Sequence, residues 1–499
     1  MIFLNKTTRL LETKPIFLFL VPFYVLIHLE KIFHNLINYR FAYMQILFMM
    51  LASALIILIS LLCARNKNKA WLLSLLLMLS WFYLGLIKNW LYNKFPDSFF
   101  GSYTFFLPAS LVLIFLSILV ILRYNGSFFR FFLFINSLWL IFILIDIIAI
   151  VASETQQPFF QNKYVFNLPK SQVPDSLKPD IYYIVFDSYS SSQILRKMGF
   201  DNHRIEEELE GSGFKIVQNA SSNYNLTPFS IASTLNMKYL DEADTGKKYF
   251  LDGYFPIVKA VTWNGMAPWL RDNGYHFVNY SIFDFPGQPS INKAHDVWDI
   301  EEVFIQHNLA LKIYIDLYFN LKLRSYYSGV KLRNAINQRD AYDDSVFHKL
   351  LLAAPGNELT VPRFIYAHFF MPHSPNSYDS SGRKIPVDIR YSRKEKEKLY
   401  TDEILFVNSR IRIITDSLLL HARRPLVIII QGDHGYRFWD NSRKKDEFQN
   451  FFAIYFSNRN YSEIPDTLTN VNLFRTVLNT HFKMKIPYEV NRHYFLRYH

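Results

Sequence analysis

The sequence predicts an all-α membrane bundle of five spans followed by an α/β domain with a mostly parallel sheet. Two observations predict it. Residues 1–152 hold five apolar stretches: Pro15–Ile27, Ala42–Ala64, Ala70–Leu91, Thr104–Leu122 and Phe128–Ala152. From residue 179 onward the pattern changes to short apolar runs alternating with amphipathic helical segments, the signature of strands joined by helical crossovers.

The last four apolar stretches have the ~20 residues that a helix needs to cross a bilayer core. The first is shorter and ends in His28, Glu30 and Lys31; it reads as a short span or an interfacial helix. A cleaved signal is disfavoured, because further spans follow at once. Asp146 lies near the outer end of the fifth stretch. An intramembrane carboxylate is a functional candidate, but pairing with another helix is the plainer expectation.

Composition agrees with a membrane part. Hydrophobic residues make up 51% of the 499-residue chain, with 47 Phe and 32 Tyr. The net charge of +12 divides unevenly: residues 1–153 hold 12 basic and 4 acidic side chains, the remainder 42 and 38. Most of the excess belongs to membrane flanks, and no basic stripe with interleaved aromatics suggests nucleic acid. The single cysteine, Cys63, excludes intramolecular disulfides and thiolate zinc clusters.

Basic residues also orient the bundle. With the N-terminus inside, Lys6, Arg9, Lys14, Arg65, Lys67, Lys69, Arg123 and Arg130 lie on the cytoplasmic side. Lys31, Arg40, Lys88 and Lys94 face outward. Five crossings then carry everything after Ala152 out of the cytoplasm. Residues 153–178, rich in Gln, Ser, Asn and Pro, read as a linker to a domain spanning 179–499.

In that domain the clearest strands are Ile181–Phe186, Phe364–Phe369, Leu426–Gln431 and Phe451–Phe456. Helices are expected over Glu206–Glu210, Pro256–Asn273, Glu395–His421 and Asn472–Phe482. Ligands of an open α/β sheet bind beyond the carboxyl ends of its strands. Here those ends carry Asp187-Ser188, Gly432-Asp433-His434-Gly435, and His368 with His373 and Pro375 beyond. The Asp-His pair between glycines is the most specific, offering an oxygen and a nitrogen to one ion across a sharp turn. A lone carboxylate or histidine at such a place is more often a cap or a satisfied loop residue.

A fourth piece is Thr227-Pro228-Phe229-Ser230, which reads as an N-cap followed by proline at the first helical position. The plain reading is a helix start. The functional one is a hydroxyl standing where amide N–H groups favour an anion, able to attack phosphorus or sulfur when bound to a metal. Asn225-Leu226-Thr227 is also formally a glycosylation sequon, but a glycan there would obstruct this reading.

In this order, Asp187-Ser188, the Thr227 helix start, His368-x4-His373-x-Pro375 and Asp433-His434-Gly435 resemble the alkaline phosphatase superfamily. Within it the chain is most similar to sulfatase-like membrane enzymes: phosphoethanolamine transferases and lipoteichoic acid synthases. Val471-Asn-Leu-Phe-Arg-Thr also looks like bacterial relatives. The resemblance implies a C-terminal α/β/α sandwich of the alkaline phosphatase/sulfatase type on the extracytoplasmic side of the inner membrane. It implies one divalent metal held by Asp187, Thr227, Asp433 and His434, with Thr227 the nucleophile that is transiently phosphorylated. His373 and His368 match histidines that contact the transferred group or protonate a leaving group.

A donor set of oxygens and one nitrogen suits Zn²⁺ or Mn²⁺ and admits Ca²⁺ or Mg²⁺. Ser230 and Arg437 are candidate substrate-binding residues, Arg437 standing where the transferases have a different sequence. The implied activity is a phospho-group transferase or phosphodiesterase acting on a lipid head group or surface glycan. A sulfatase-type hydrolase is an alternative, although the Cys/Ser-x-Pro-x-Arg sequence of formylglycine sulfatases is lacking. A non-catalytic lipid-binding member of the same fold is another; retention of all four metal positions argues against it.

Overall fold

The computed structural model describes residues 2–32, 39–95, 98–155, 168–240, 243, 248–249, 251–291, 324–354, 361–386, 391–438 and 441–498. The chain divides into two compact units, the first built on residues 1–157.

The first unit contains α1 (Ile2–Thr13), α2 (Phe17–Ile32), α3 (Tyr39–Cys63), α4 (Lys67–Lys94), α5 (Tyr103–Arg123) and α6 (Phe129–Thr155). Among the described residues, four helices are long and apolar enough to cross a membrane: Ile46–Cys63, Lys67–Lys88, Tyr103–Arg123 and Phe129–Ala152. The first expected span, Pro15–Ile27, corresponds to α2, which is 16 residues with Pro22 inside it and packs along α6.

Two polar side chains of α6 explain that pairing. Asn136, fully buried, accepts from Phe17 N at 2.7 Å and donates to Leu11 O and Lys14 O at 2.7 and 2.9 Å. It thereby satisfies backbone groups left open where α1 breaks from α2, which an apolar environment would otherwise penalise. Asp146 accepts from Lys31 Nζ at 2.5 Å and lies 2.7 Å from His28 Nδ1. The intramembrane carboxylate is therefore paired with another helix.

The second unit is built on a six-stranded sheet. Its strands are β1 (Asp180–Phe186), β2 (Lys215–Ile216), β3 (His276–Tyr280), β4 (Arg363–Phe369), β5 (Leu426–Gly432) and β6 (Phe452–Phe456). Their spatial order is β2-β6-β5-β1-β4-β3. The four strands from β5 to β3 are parallel, while β6 runs antiparallel to both β5 and β2. Every residue of β1, β4 and β5 is buried, the condition of a parallel sheet covered on both faces. That accounts for the unbroken Val/Ile/Phe/Tyr runs, each fully buried Ile or Val contributing ~2 kcal/mol.

The helices are α7 (Ser192–Lys197), α8 (His203–Gly211), α9 (Thr227–Asn236), α10 (Leu251–Thr262), α11 (Met266–Asp272), α12 (Arg324–Ala353), α13 (Arg393–Leu420) and α14 (Leu473–Phe482). Helix α13 begins with a capping box in which Ser392 and Glu395 satisfy one another's backbone amides. The single helix expected over Pro256–Asn273 is instead two. Asn264 Oδ1 accepts from Ala267 N, and Asn236 Oδ1 from Gly265 N, both at 2.9 Å, so side chains satisfy the amides at the break.

Part of the expected linker, residues 156–167, lies outside the described residues. The described remainder is tied to this unit: Ser171 N donates to Asn273 Oδ1 at 2.6 Å and Lys178 Nζ to Asn273 O at 2.7 Å.

Candidate active site

Strand register brings the site together. Phe186, the last residue of β1, pairs with Gly432 at the end of β5, so Asp187 and Asp433 emerge side by side. Val185 pairs with His368 on its other flank and with Gln431. Side chains alternate along a strand, so Asp187 and Asp433, each two residues on, continue the face on which His368 lies. A ligand atom from each of Asp187, His368 and Asp433 lies within 4.8 Å of the other two.

The turn after β5 adds a fourth group. His434 Nε2 is 3.6 Å from Asp187 Oδ1 and 3.6 Å from Asp433 Oδ2. Its Nδ1 is 2.7 Å from Gly435 O, a pure acceptor, so Nδ1 carries the proton and Nε2 turns a lone pair toward the carboxylates. The flanking glycines serve close approach rather than a left-handed turn. Neither has positive φ, and a Cβ on Gly432 would stand 2.3 Å from Tyr189 O, one on Gly435 2.7 Å from Gln449 O. The left-handed residue is Ser188 (φ 66°), whose N–H thereby reaches Asp433 Oδ1 at 2.9 Å.

Helix α9 supplies the hydroxyl. Thr227 is its first residue, with Leu226 in the cap position, so the side chain does not cap the helix as expected. Its Oγ1 lies 3.4 Å from Asp187 Oδ2 and 3.5 Å from His434 Nε2. Ser230 is fully buried, and its hydroxyl donates to Asp433 O at 2.6 Å. Asn225 is also fully buried; Nδ2 donates to Leu496 O and Oδ1 accepts from Leu496 N, which leaves no room for a glycan.

His373 and Arg437 complete the cluster. Arg437 Nη2 is 3.0 Å from His434 Nε2, Nη1 is 3.3 Å from His373 Nε2, and Nε donates to Asn225 O at 3.3 Å. The loop bearing His373 is held from α12 and α13. Asp343 accepts from Phe370 N and Met371 N at 2.8 and 3.0 Å, Arg339 Nη2 donates to Pro375 O at 2.5 Å, and Glu403 accepts from Ser377 N at 3.1 Å.

Electrostatics point to a cation. Burial, then the charge of Asp433, drives the Asp187 carboxyl well above the usual range. Burial, then the Arg437 guanidinium, holds His434 and His373 well below the usual histidine range, so both are neutral near pH 7. Burial likewise lowers His368 to about 4. Asp187 Oδ1, Asp433 Oδ2 and His368 Nε2 are all buried without a hydrogen-bond partner. Two carboxyl groups and the Nε2 atoms of His434 and His368 face one another here, an arrangement that a bound positive ion would stabilise. The set fits a divalent metal with nitrogen and oxygen ligands.

The eight candidate site residues, Asp187, Thr227, Ser230, His368, His373, Asp433, His434 and Arg437, thus lie in one cluster. Asn470 was missed as a site residue although Val471-Asn-Leu-Phe-Arg-Thr beside it stood out; its Nδ2 donates to Asp433 O at 3.0 Å and to Ser230 Oγ at 3.2 Å. Arg339 and Asp343 were missed because nothing local in α12 distinguishes them from an ordinary helix face.

No protein-family model matches the chain, and no curated protein matches it in sequence. Solved structures resemble it. The C-terminal periplasmic domain of a phosphoethanolamine transferase from Campylobacter jejuni is 12% identical with TM-score 0.37, over 64% of this chain and 95% of that one. The integral membrane lipooligosaccharide phosphoethanolamine transferase A of Neisseria meningitidis is 11% identical with TM-score 0.37, over 92% and 90%. A Bacteroides thetaiotaomicron protein of glycosaminoglycan metabolism is 16% identical with TM-score 0.37, over 63% and 75%. These likenesses are too distant to bear on activity, which rests on the site itself.

Proposed function

We propose that the chain is a membrane-anchored, metal-dependent phospho-group transferase or phosphodiesterase whose nucleophile is Thr227. The observation that carries this reading is the convergence of three partnerless buried atoms, Asp187 Oδ1, Asp433 Oδ2 and His368 Nε2, below a hydroxyl at a helix start. Asp187, Asp433, His434 and Thr227 would hold one divalent ion. The ion supplies Lewis acidity that favours the Thr227 alkoxide and offsets charge on the phosphoryl oxygens.

The chain's own residues do the rest. Thr227 Oγ1 forms a bond to phosphorus as the bond to the leaving oxygen breaks, and its proton departs toward Asp187 Oδ2, which it already faces at 3.4 Å. Arg437 binds a non-bridging oxygen. A bound anion raises the proton affinity of His373, which then protonates the leaving oxygen. In the second step an acceptor hydroxyl, or water, bonds to phosphorus as the bond to Thr227 Oγ1 breaks; the now neutral His373 takes the acceptor's proton, and Asp187 returns the first proton to Thr227 Oγ1.

Four apolar helices in the same chain favour a donor that lives in a bilayer, a phospholipid or a surface glycan lipid. The basic-residue asymmetry supports an extracytoplasmic catalytic domain. Thr227-Pro228-Phe229-Ser230 lacks the Cys and Arg of the formylglycine sequence, which disfavours sulfate ester hydrolysis.

The test is covalent trapping. Purified full-length protein is mixed with a labelled phospholipid donor, quenched and mapped by mass spectrometry. A phospho-adduct on Thr227, absent in Thr227→Ala along with turnover, is the expected result. An adduct on Ser230, or undiminished turnover in Thr227→Ala, overturns the assignment.

A further inference from the structure

The guanidinium of Arg437 occupies an unusual place for a substrate-binding group. It sits three residues past His434, steered by the bond from Nε to Asn225 O, and reaches the lone pairs of two neutral histidines. One of them, His434 Nε2, is the nitrogen that faces both carboxylates. A metal ligand and an arginine hydrogen-bond acceptor are therefore the same atom. Both uses cannot coexist, because one lone pair serves one partner.

Among the described residues a single group of histidine and acidic side chains is close enough to hold an ion. The positive charge that reaches His434, the histidine next to Asp433 of this group, is Arg437. We propose that Arg437 is the built-in second cation of a one-metal centre: it competes with the metal for His434 and, once displaced, binds the substrate's anionic group.

This assignment rests on the metal reading of Asp187, Asp433 and His434, and it deepens that reading in three ways. First, metal entry breaks the bond between Nη2 and His434 Nε2 and frees that guanidinium N–H for an anion. Second, a fixed guanidinium and a divalent ion a few ångströms apart repel one another, so Arg437 weakens metal binding and makes the ion easier to lose. Third, a planar fork beside the metal matches two oxygens of one phosphate group, which a lysine does not reproduce. Anion binding and metal binding thus depend on the same side chain with opposite sign. A residue that merely braced the loop would weaken both when replaced.

The experiment uses full-length protein in detergent and reads binding rather than turnover. Mn²⁺ or Zn²⁺ is titrated against a competing chelator into wild type, Arg437→Gln and Arg437→Lys. Inorganic phosphate is then titrated into each metal-loaded protein, and thermal unfolding reports integrity. Wild type is expected to take one equivalent of metal. Arg437→Gln should bind metal roughly tenfold more tightly, because the competitor and its charge are gone, and phosphate roughly tenfold more weakly. Arg437→Lys should keep near-wild-type metal affinity, since its charge remains, but recover phosphate binding only in part.

Two equivalents in wild type overturn the one-metal assignment. Equal or weaker metal binding in Arg437→Gln overturns the competition, and unchanged phosphate affinity overturns the anion role. Should Arg437→Gln fail to fold, equal phosphate binding by wild type and Arg437→Lys overturns the forked-clamp role. None of these readings uses the Thr227 step, so a failure to trap an adduct on Thr227 leaves them standing, and the reverse also holds.

Discussion

Ser230 Oγ donates to the backbone carbonyl of Asp433 at 2.6 Å, and this bond joins the first turn of α9 to the turn that follows β5. The two halves of the candidate site, Thr227 on one side and Asp433-His434 on the other, come from distant parts of the chain. Their spacing is therefore a tertiary quantity. Asn470 Nδ2 reaches the same carbonyl at 3.0 Å and provides a second tie.

Ser230→Ala should reduce turnover about tenfold and stability by about 1 kcal/mol, because Asn470 still satisfies the Asp433 carbonyl. Removing both ties leaves that carbonyl buried without a donor. The double variant Ser230→Ala/Asn470→Ala should then lose clearly more than the sum of the single changes, as thermal unfolding and a double-mutant cycle would show. Simple additivity would mean that the two ties act independently of the shared carbonyl.

Much of this arrangement was legible in the sequence, for a definite reason. In a parallel sheet the apolar run stops where the ligand-binding edge begins, so Asp187 after Ile181–Phe186 and Asp433-His434 after Leu426–Gln431 announce their position by register alone. Thr227-Pro228 marks a helix start in the same way, although the cap residue proved to be Leu226. His368 was harder: its partnership with the two carboxylates follows only once it is known to pair with Val185. Asn470, Arg339 and Asp343 act through side-chain reach across elements, which no local pattern encodes. The break at Asn264 inside Pro256–Asn273 was missed because an apolar periodicity continues across it.

The Asp187–Asp433 pair predicts an inverted stability effect. In chelator, wild type holds two buried carboxyls, and burial first, then the charge of Asp433, raises Asp187. Asp433→Asn keeps Oδ1 for the amides of Ser188 and His434 and places an amide N–H where Oδ2 faced the other acceptors. Asp433→Asn should therefore melt a few degrees higher than wild type without metal. On adding Zn²⁺ or Mn²⁺ the wild type should gain stability by ligand linkage and the variant should gain little. Calorimetry in chelator and in metal would decide, and a variant that melts lower in both contradicts the repulsion.

Asp343 predicts a pH dependence. Burial pushes its carboxyl up to about 8, while the amides of Phe370 and Met371 and the charge of Arg339 oppose the rise and Glu403 adds to it. Native protein then holds a proton between about pH 4 and 8 that the unfolded chain releases. The associated stability is present below pH 4 and is lost as pH rises through 8. Asp343→Asn cannot titrate, so its melting temperature should fall less steeply than that of wild type between pH 5 and 9. Parallel curves would show that Asp343 is ionised throughout.

Orientation can be tested with the lone cysteine. Cys63 ends α3 beside Arg65, Lys67 and Lys69, the segment expected inside. In intact cells a membrane-impermeant maleimide should leave Cys63 unlabelled, whereas Lys170→Cys in a Cys63→Ser background should react. The opposite pattern reverses the bundle and places the α/β domain in the cytoplasm.

His368 and His373 should separate by what is lost. His368 is fully buried, its Nε2 has no partner and lies with the two carboxylates, and its Nδ1 is 2.9 Å from the Tyr366 hydroxyl. That hydroxyl orients the ring in the manner of an outer-shell partner, so His368 is expected to face the ion as well as the transferred group. His373 stands farther out, partly exposed, with Nε2 on Arg437 and no orphaned atom. Replacing His368 with Ala should lower metal affinity by about ten- to a hundredfold, and Tyr366→Phe should lower it less, in the range typical of orienting partners. Replacing His373 with Ala should leave metal content at the wild-type level and reduce turnover by about 100-fold, the usual contribution of a positioned proton donor. The loss in His373→Ala should shrink for a donor whose leaving group is a phenolate, which departs without a proton, and remain full for an alcohol. Metal analysis beside turnover of both donor types gives four numbers. Metal loss in His373→Ala, or an equal rate loss with both leaving groups, would remove His373 from the proton-transfer role and assign it to the ion instead.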